Sequence, residues 1–77
     1  MLFSIRLVDS NGHAESGVPV VADYGWWNGQ DTELTDSDGW AAFERAGAYA
    51  SCTIFIDGKN YGVITLKDEA TFSFIRK

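Results

Sequence analysis

The sequence holds one cysteine, one proline and one histidine among 77 residues. It has no apolar run near the roughly 20 residues that a transmembrane helix needs. With Cys52 alone, neither an internal disulfide nor a cysteine-based metal cluster can form, and the staples favoured by small secreted domains are missing. Basic residues are also few. Arg6, Arg45, Lys59, Lys67, Arg76 and Lys77 are scattered along a chain of net charge −5. That excludes nucleic acid as a natural partner, because phosphate contacts need clustered Lys and Arg. Met1-Leu2-Phe3-Ser4-Ile5-Arg6 lacks the basic start and apolar stretch of a signal peptide. The expectation is a soluble protein with no membrane partner, cytoplasmic by default and extracellular if a leader has been removed.

What the chain does have is apolar and aromatic residues, 45% and 14% of the total. A domain of this size buries only about 60% of the surface its unfolded chain exposes, so its core must be efficient. Aromatic and β-branched side chains cover a pleated face well. One domain over residues 1–77 is expected, with no linker, low-complexity segment or internal repeat.

Period-two segments recur, each closed by turn residues. Leu2 to Val8 sets Phe3, Ile5 and Leu7 on one face, and Asp9-Ser10-Asn11-Gly12 breaks it. Val18 to Tyr24 aligns Val18, Val20 and Ala22, with Pro19 early, as suits a strand start or edge. Gly25-Trp26-Trp27-Asn28-Gly29-Gln30-Asp31 reads as a glycine-framed loop before a short strand over Thr32 to Thr35. The corner Asp36-Ser37-Asp38-Gly39 leads into Trp40 to Glu44. Ala48 to Ile56 is the longest predicted strand, with Cys52, Ile54 and Ile56 on one face. Asp57-Gly58 suits the positive-φ positions of a primed hairpin turn. Tyr61 to Leu66 returns, and Thr71 to Arg76 closes the chain. No helix is predicted beyond a single turn. The expected fold is all-β, a Greek-key β-sandwich of about seven strands, as the turn count suggests. Its predicted core is Phe3, Ile5, Leu7, Val18, Val20, Ala22, Trp40, Ala42, Cys52, Ile54, Ile56, Val63, Phe72 and Phe74.

The order of these segments resembles known families. Val8-Asp9-Ser10-Asn11-Gly12, Gly17-Val18-Pro19-Val20, Thr35-Asp36-Ser37-Asp38-Gly39-Trp40-Ala41-Ala42-Phe43, Gly47-Ala48-Tyr49 and Ile54-Phe55-Ile56-Asp57-Gly58-Lys59 together are similar to transthyretin-like and carboxypeptidase-regulatory-like domains, and to bacterial Ig-like surface domains. The resemblance covers nearly the whole chain and implies a small sandwich. It does not carry over the hydroxyisourate hydrolysis of some transthyretin-like proteins. That activity uses several histidines, an arginine and a Tyr-Arg-Gly-Ser ending, whereas this chain has His13 alone and ends Phe74-Ile75-Arg76-Lys77. The adhesin-type members occur as arrays, whereas this chain is a single unit.

Three constellations could carry chemistry. Asp36-Ser37-Asp38-Gly39 echoes part of an EF-hand loop, but aligning Gly39 with the sixth position puts Leu34 first and Arg45 twelfth, where carboxylates are required. Asp31 and Glu33 could extend an oxygen cage, although four acids in a polar stretch are ordinarily solvated. No metal or other cofactor is expected. Cys52 and His13 form no recognised catalytic arrangement, since Cys52 falls mid-strand and His13 in the polar stretch Asn11 to Gly17. No enzyme is expected.

The third constellation is aromatic: Tyr24, Trp26, Trp27 and Trp40, with Asn28, Gln30 and Asp31 supplying polar groups. Adjacent Trp26 and Trp27 cannot both point inward on one strand, so at least one is expected in solvent. The plainer reading is that tryptophans close the ends of a small core. The sharper one is a ligand-binding loop made of Tyr24, Trp26, Trp27, Asn28, Gln30 and Asp31. The leading expectation is therefore a non-enzymatic binding or interaction module. Carbohydrate recognition by an indole platform and a structural or self-assembling unit are the alternatives. A protein, a glycan and a second copy of the chain, paired through edge strands, remain open as partners.

Overall fold

A computed structural model describes all 77 residues. Seven strands follow in order: β1 Leu2–Val8, β2 Pro19–Asp23, β3 Gln30–Leu34, β4 Trp40–Glu44, β5 Ser51–Ile56, β6 Lys59–Thr65 and β7 Ala70–Ile75. There is no helix, so none that could cross a membrane. One sheet has the order β4-β1-β7 and the other β3-β2-β5-β6. All neighbours are antiparallel except β1 and β7, which run parallel.

The two sheets share one core. Phe3, Ile5, Leu7, Ala41 and Phe43 come from the first, and Val20, Ala22, Cys52, Ile54, Ile56 and Ile64 from the second. Val18, Tyr24 and Leu66 fill its margins. Each large apolar side chain taken fully from water contributes about 1.5–3 kcal/mol. Phe3 and Phe43 stack with ring centroids 5.1 Å apart, which joins β1 to β4 across their antiparallel ladder.

Two corners turn out to be built alike. Asp9-Ser10-Asn11-Gly12-His13 and Asp36-Ser37-Asp38-Gly39-Trp40 each place a carboxylate at the first position. That oxygen accepts the backbone N–H of the third and fifth residues, each bond 2.9 Å long. The glycine N–H donates to the aspartate carbonyl at 3.0 Å in both, and both glycines have φ near +84°. This is a short structural repeat, Asp-Ser-x-Gly, where none was expected. In the second corner Asp36 Oδ1 is committed to the backbone. No group of three or more His, Cys, Asp or Glu side chains in the chain is arranged to hold a metal ion.

Five expected core residues are not fully buried. Trp40 is half-buried and Ala42 exposed, while Ala41 and Phe43 are buried. The cause is register: Ile5 faces inward and pairs with Ala41, so Arg6 pairs with Trp40 on the outer face, where the guanidinium lies 6.0 Å from the indole centre. Val63 is exposed and Ile64 buried. A register irregularity between Ile54 and Phe55 faces Gly62, at φ +103°. Such a bulge inserts a residue and shifts which side chains face in. Phe72 and Phe74 pack against the core but remain half-buried, because β7 is an edge strand. Strand bounds differ by a few residues from those expected, most at β5, which begins at Ser51 rather than Ala48. The Asp57-Gly58 hairpin forms as the sequence indicates, with φ of +51° and +81°.

Candidate functional site

The loop between β2 and β3 is locked by its own backbone. Tyr24 N–H donates to Gly29 O at 2.9 Å, and the N–H groups of Asn28 and Gly29 both converge on Gly25 O at 3.1 and 3.2 Å. Asp23 Oδ1 accepts the Gly25 N–H at 2.9 Å, and Asn28 Nδ2 donates to Tyr24 O at 3.3 Å. Gly25 and Gly29 have φ of +104° and +74°, a backbone that other residues rarely adopt. These two glycines let a tight turn close on four residues without a strained side chain.

Both tryptophans project from that turn. Trp26 is 89% exposed and Trp27 90%, and neither ring pairs with another aromatic of the chain. The expectation that at least one of the two faces solvent is met by both. The strand argument does not apply on a turn, and both are displayed. Asn28 and Gln30 are exposed beside them, and Asp31 is half-buried.

Tyr24 is not part of the display. It is a buried residue, its ring 4.9 Å from that of Tyr49 and 6.4 Å from that of Phe3. Burial, with the negative charge of Asp31 beside it, pushes its phenol above the usual range. The Arg45 guanidinium caps this group, 4.4 Å from the Tyr24 ring and 5.2 Å from Tyr49. Arg45 Nε also lies 3.8 Å from Asp31 Oδ2, and a Cβ built on Gly29 would meet its Nη2 at 3.5 Å. Tyr24 Oη and Arg45 Nη1 are buried without a hydrogen-bond partner in the chain.

The site thus has two storeys. A polar and aromatic footing of Tyr24, Tyr49, Arg45 and Asp31 holds the loop against the core. Above it stands a convex apolar tip of Trp26 and Trp27. Trp40 sits on the outer face of the other sheet, outside this group. Sequence reasoning missed Arg45 and Tyr49 as members. Their signal was faint, since they lie in the β4–β5 connection, far along the chain from the loop they support.

The surface carries no pocket or cleft. The Trp26–Trp27 tip is thus a projection, unlike the concave pockets that enclose typical small ligands. Cys52 is buried, and burial followed by the charge of Asp23 pushes its thiol up to about 11, so it is suited to packing rather than to nucleophilic attack. His13 is exposed on the first aspartate corner, its Nδ1 3.5 Å from Asp9 Oδ2. No family model matches the chain, and no curated protein matches it.

Proposed function

We propose that this chain is a non-enzymatic interaction module of the transthyretin-like sandwich type, which docks on a protein partner through Trp26 and Trp27. The seven strands divided into sheets of four and three support the sandwich assignment. The functional reading rests on one observation: two adjacent indoles, almost wholly in solvent, on a turn fixed by backbone hydrogen bonds. Tryptophan is enriched among the few residues that dominate binding energy at protein interfaces. A pre-ordered turn lowers the entropy that docking must overcome. The convex tip fits an apolar recess on the partner.

Carbohydrate recognition is the second reading, favoured by exposed Asn28 and Gln30 next to the indoles. Selection of binders from a peptide library, in parallel with a glycan panel followed by tryptophan fluorescence, separates the two. The protein reading expects peptide ligands whose binding is lost in the Trp26→Ser/Trp27→Ser double variant. Selected ligands that bind the double variant equally well refute it, and a saturating glycan response replaces it with the second reading.

A further inference from the structure

The seven strands leave edges at β3, β4, β6 and β7, and these edges are unequally protected. On β3, Asp31 and Glu33 pair with the core-facing Ala22 and Val20, so two carboxylates lie on its inner face. Inward-pointing charge is a known device against edge pairing. Gly62 and the irregularity opposite it disturb β6. The end of β4 is linked to β3 through the Arg45–Asp31 pair. Strand β7 has no such guard. Ala70-Thr71-Phe72-Ser73-Phe74-Ile75 is uncharged, free of proline and glycine, and regularly paired with β1 along its length. Such segments at an open edge are ready templates for another strand.

The phase of this edge can be read from one hydrogen bond. Arg76 N–H donates to Val8 O at 2.8 Å, in a ladder where Ile75 pairs with Val8. Backbone groups alternate in direction along a strand, so Phe72 and Phe74 turn theirs to β1. Thr71, Ser73 and Ile75 turn theirs to the open side.

We propose that β7 receives β7 of a second copy of this chain, antiparallel about a two-fold axis at Ser73, joining two three-stranded sheets into one. Antiparallel pairing about an axis normal to the sheet keeps both cores on the same side. In this register Ser73 opposes its own mate, Thr71 opposes Ile75 and Phe72 opposes Phe74 of the other copy. The two half-buried phenylalanines of each copy thereby gain apolar neighbours on the inner face. The flanking charges select the direction. Glu69 on one side of the strand has no ion-pair partner in the chain, and neither has the Lys77 ammonium on the other, which rests 4.8 Å from the Tyr61 ring centre. The antiparallel register sets each Glu69 opposite Lys77 of the other copy, at both ends. A parallel arrangement would set like against like. Arg76 is not needed for this, being held by Asp57 at 2.6 Å and Glu15 at 3.6 Å.

An edge of six residues buries less than the about 1,200 Å² of a standard stable interface, so the dimer is weak and reversible. Sedimentation velocity on the full chain from about 10 μM to about 1 mM should show a monomer–dimer equilibrium in this range. Ser73→Pro removes an N–H that points to the open edge and leaves the β1 ladder intact. It should weaken association by at least about tenfold while the far-ultraviolet circular dichroism is retained. Lys77→Glu should also weaken it, and Glu69→Lys combined with Lys77→Glu should restore it, which decides the matter even if the proline variant misfolds. A chain that stays monomeric up to the highest concentration overturns the proposal. So does association that is indifferent to both edge variants, or that is lost only in Trp26→Ser/Trp27→Ser.

Discussion

Arg45 lies over Tyr24, its guanidinium carbon 4.4 Å from the ring centre, and so ties the β4–β5 connection to the foot of the tryptophan loop. Cation–π contact and the buried aliphatic stem both act here, the first worth about 0.5–2 kcal/mol depending on desolvation. Arg45→Ala should destabilise the fold by about 1–2 kcal/mol in urea titration. It should also increase the local motion of Trp26 and Trp27 in time-resolved anisotropy. Unchanged anisotropy would separate the footing from the tip.

Tyr24→Phe should have the opposite character. The phenolic oxygen is buried with no partner at hydrogen-bond distance, and Asp31, whose charge lies beside it, keeps its ion pair with Arg45 when the hydroxyl is removed. The variant is expected within about 1 kcal/mol of the parent, and on the stable side. A larger loss would mean that the hydroxyl has a partner in solution.

The twin aspartate corners provide an internal control on glycine. A Cβ at Gly39 would meet the Leu7 carbonyl oxygen at 2.5 Å, whereas one at Gly12 would meet nothing within 4 Å. Both positions have positive φ, so each alanine costs about 1 kcal/mol from backbone strain. Gly39→Ala should cost more, about 2–4 kcal/mol in total, because the Leu7–Gly39 backbone contact must also open. Thermal unfolding of the two variants side by side tests the difference.

Alkaline pH should unfold the protein through its buried thiol among other groups. Folding raises the Cys52 thiol from 9.0 to about 11. The stability it contributes is therefore complete below pH 9.0 and lost as pH climbs to about 11. The Tyr24 phenol, also raised, acts in the same direction at higher pH. Urea midpoints should fall across this window, and Cys52→Ala should lessen the fall. In the native state at neutral pH, Cys52 should resist alkylation.

Trp26→Ser and Trp27→Ser should leave stability within about 0.5 kcal/mol of the parent, since neither side chain packs on the core. The same variants should remove most of the tryptophan emission that acrylamide quenches, leaving half-buried Trp40.

Much of this was legible in the sequence. The inward faces of β1, β2 and β5 follow from simple alternation, and Asp57-Gly58 announces its own turn. The misread facings have two physical causes. On β4, the size of Trp40 suggested burial, whereas pairing with β1 sets its direction through Ile5 and Ala41. Gly62 was the visible sign of a bulge in β6, and counting through it as if it were an ordinary strand position gave Val63 in place of Ile64. The tip itself was found because Trp26 and Trp27 are neighbours framed by glycines. Of its footing, Tyr24 and Asp31 were named with the loop but Arg45 and Tyr49 were not, because they reach Tyr24 only when β2 and the β4–β5 connection meet in space.

The parallel pairing of β1 with β7 has a mechanical consequence. The start of β1 and the end of β7 lie at opposite ends of their shared ladder. Tension drawn between these points runs along the strands and loads the hydrogen bonds of that ladder together in shear, rather than peeling them one by one. A tandem array of this domain in a force spectrometer should therefore rupture in sharp, separate events, with β1 and β7 acting as the clasp.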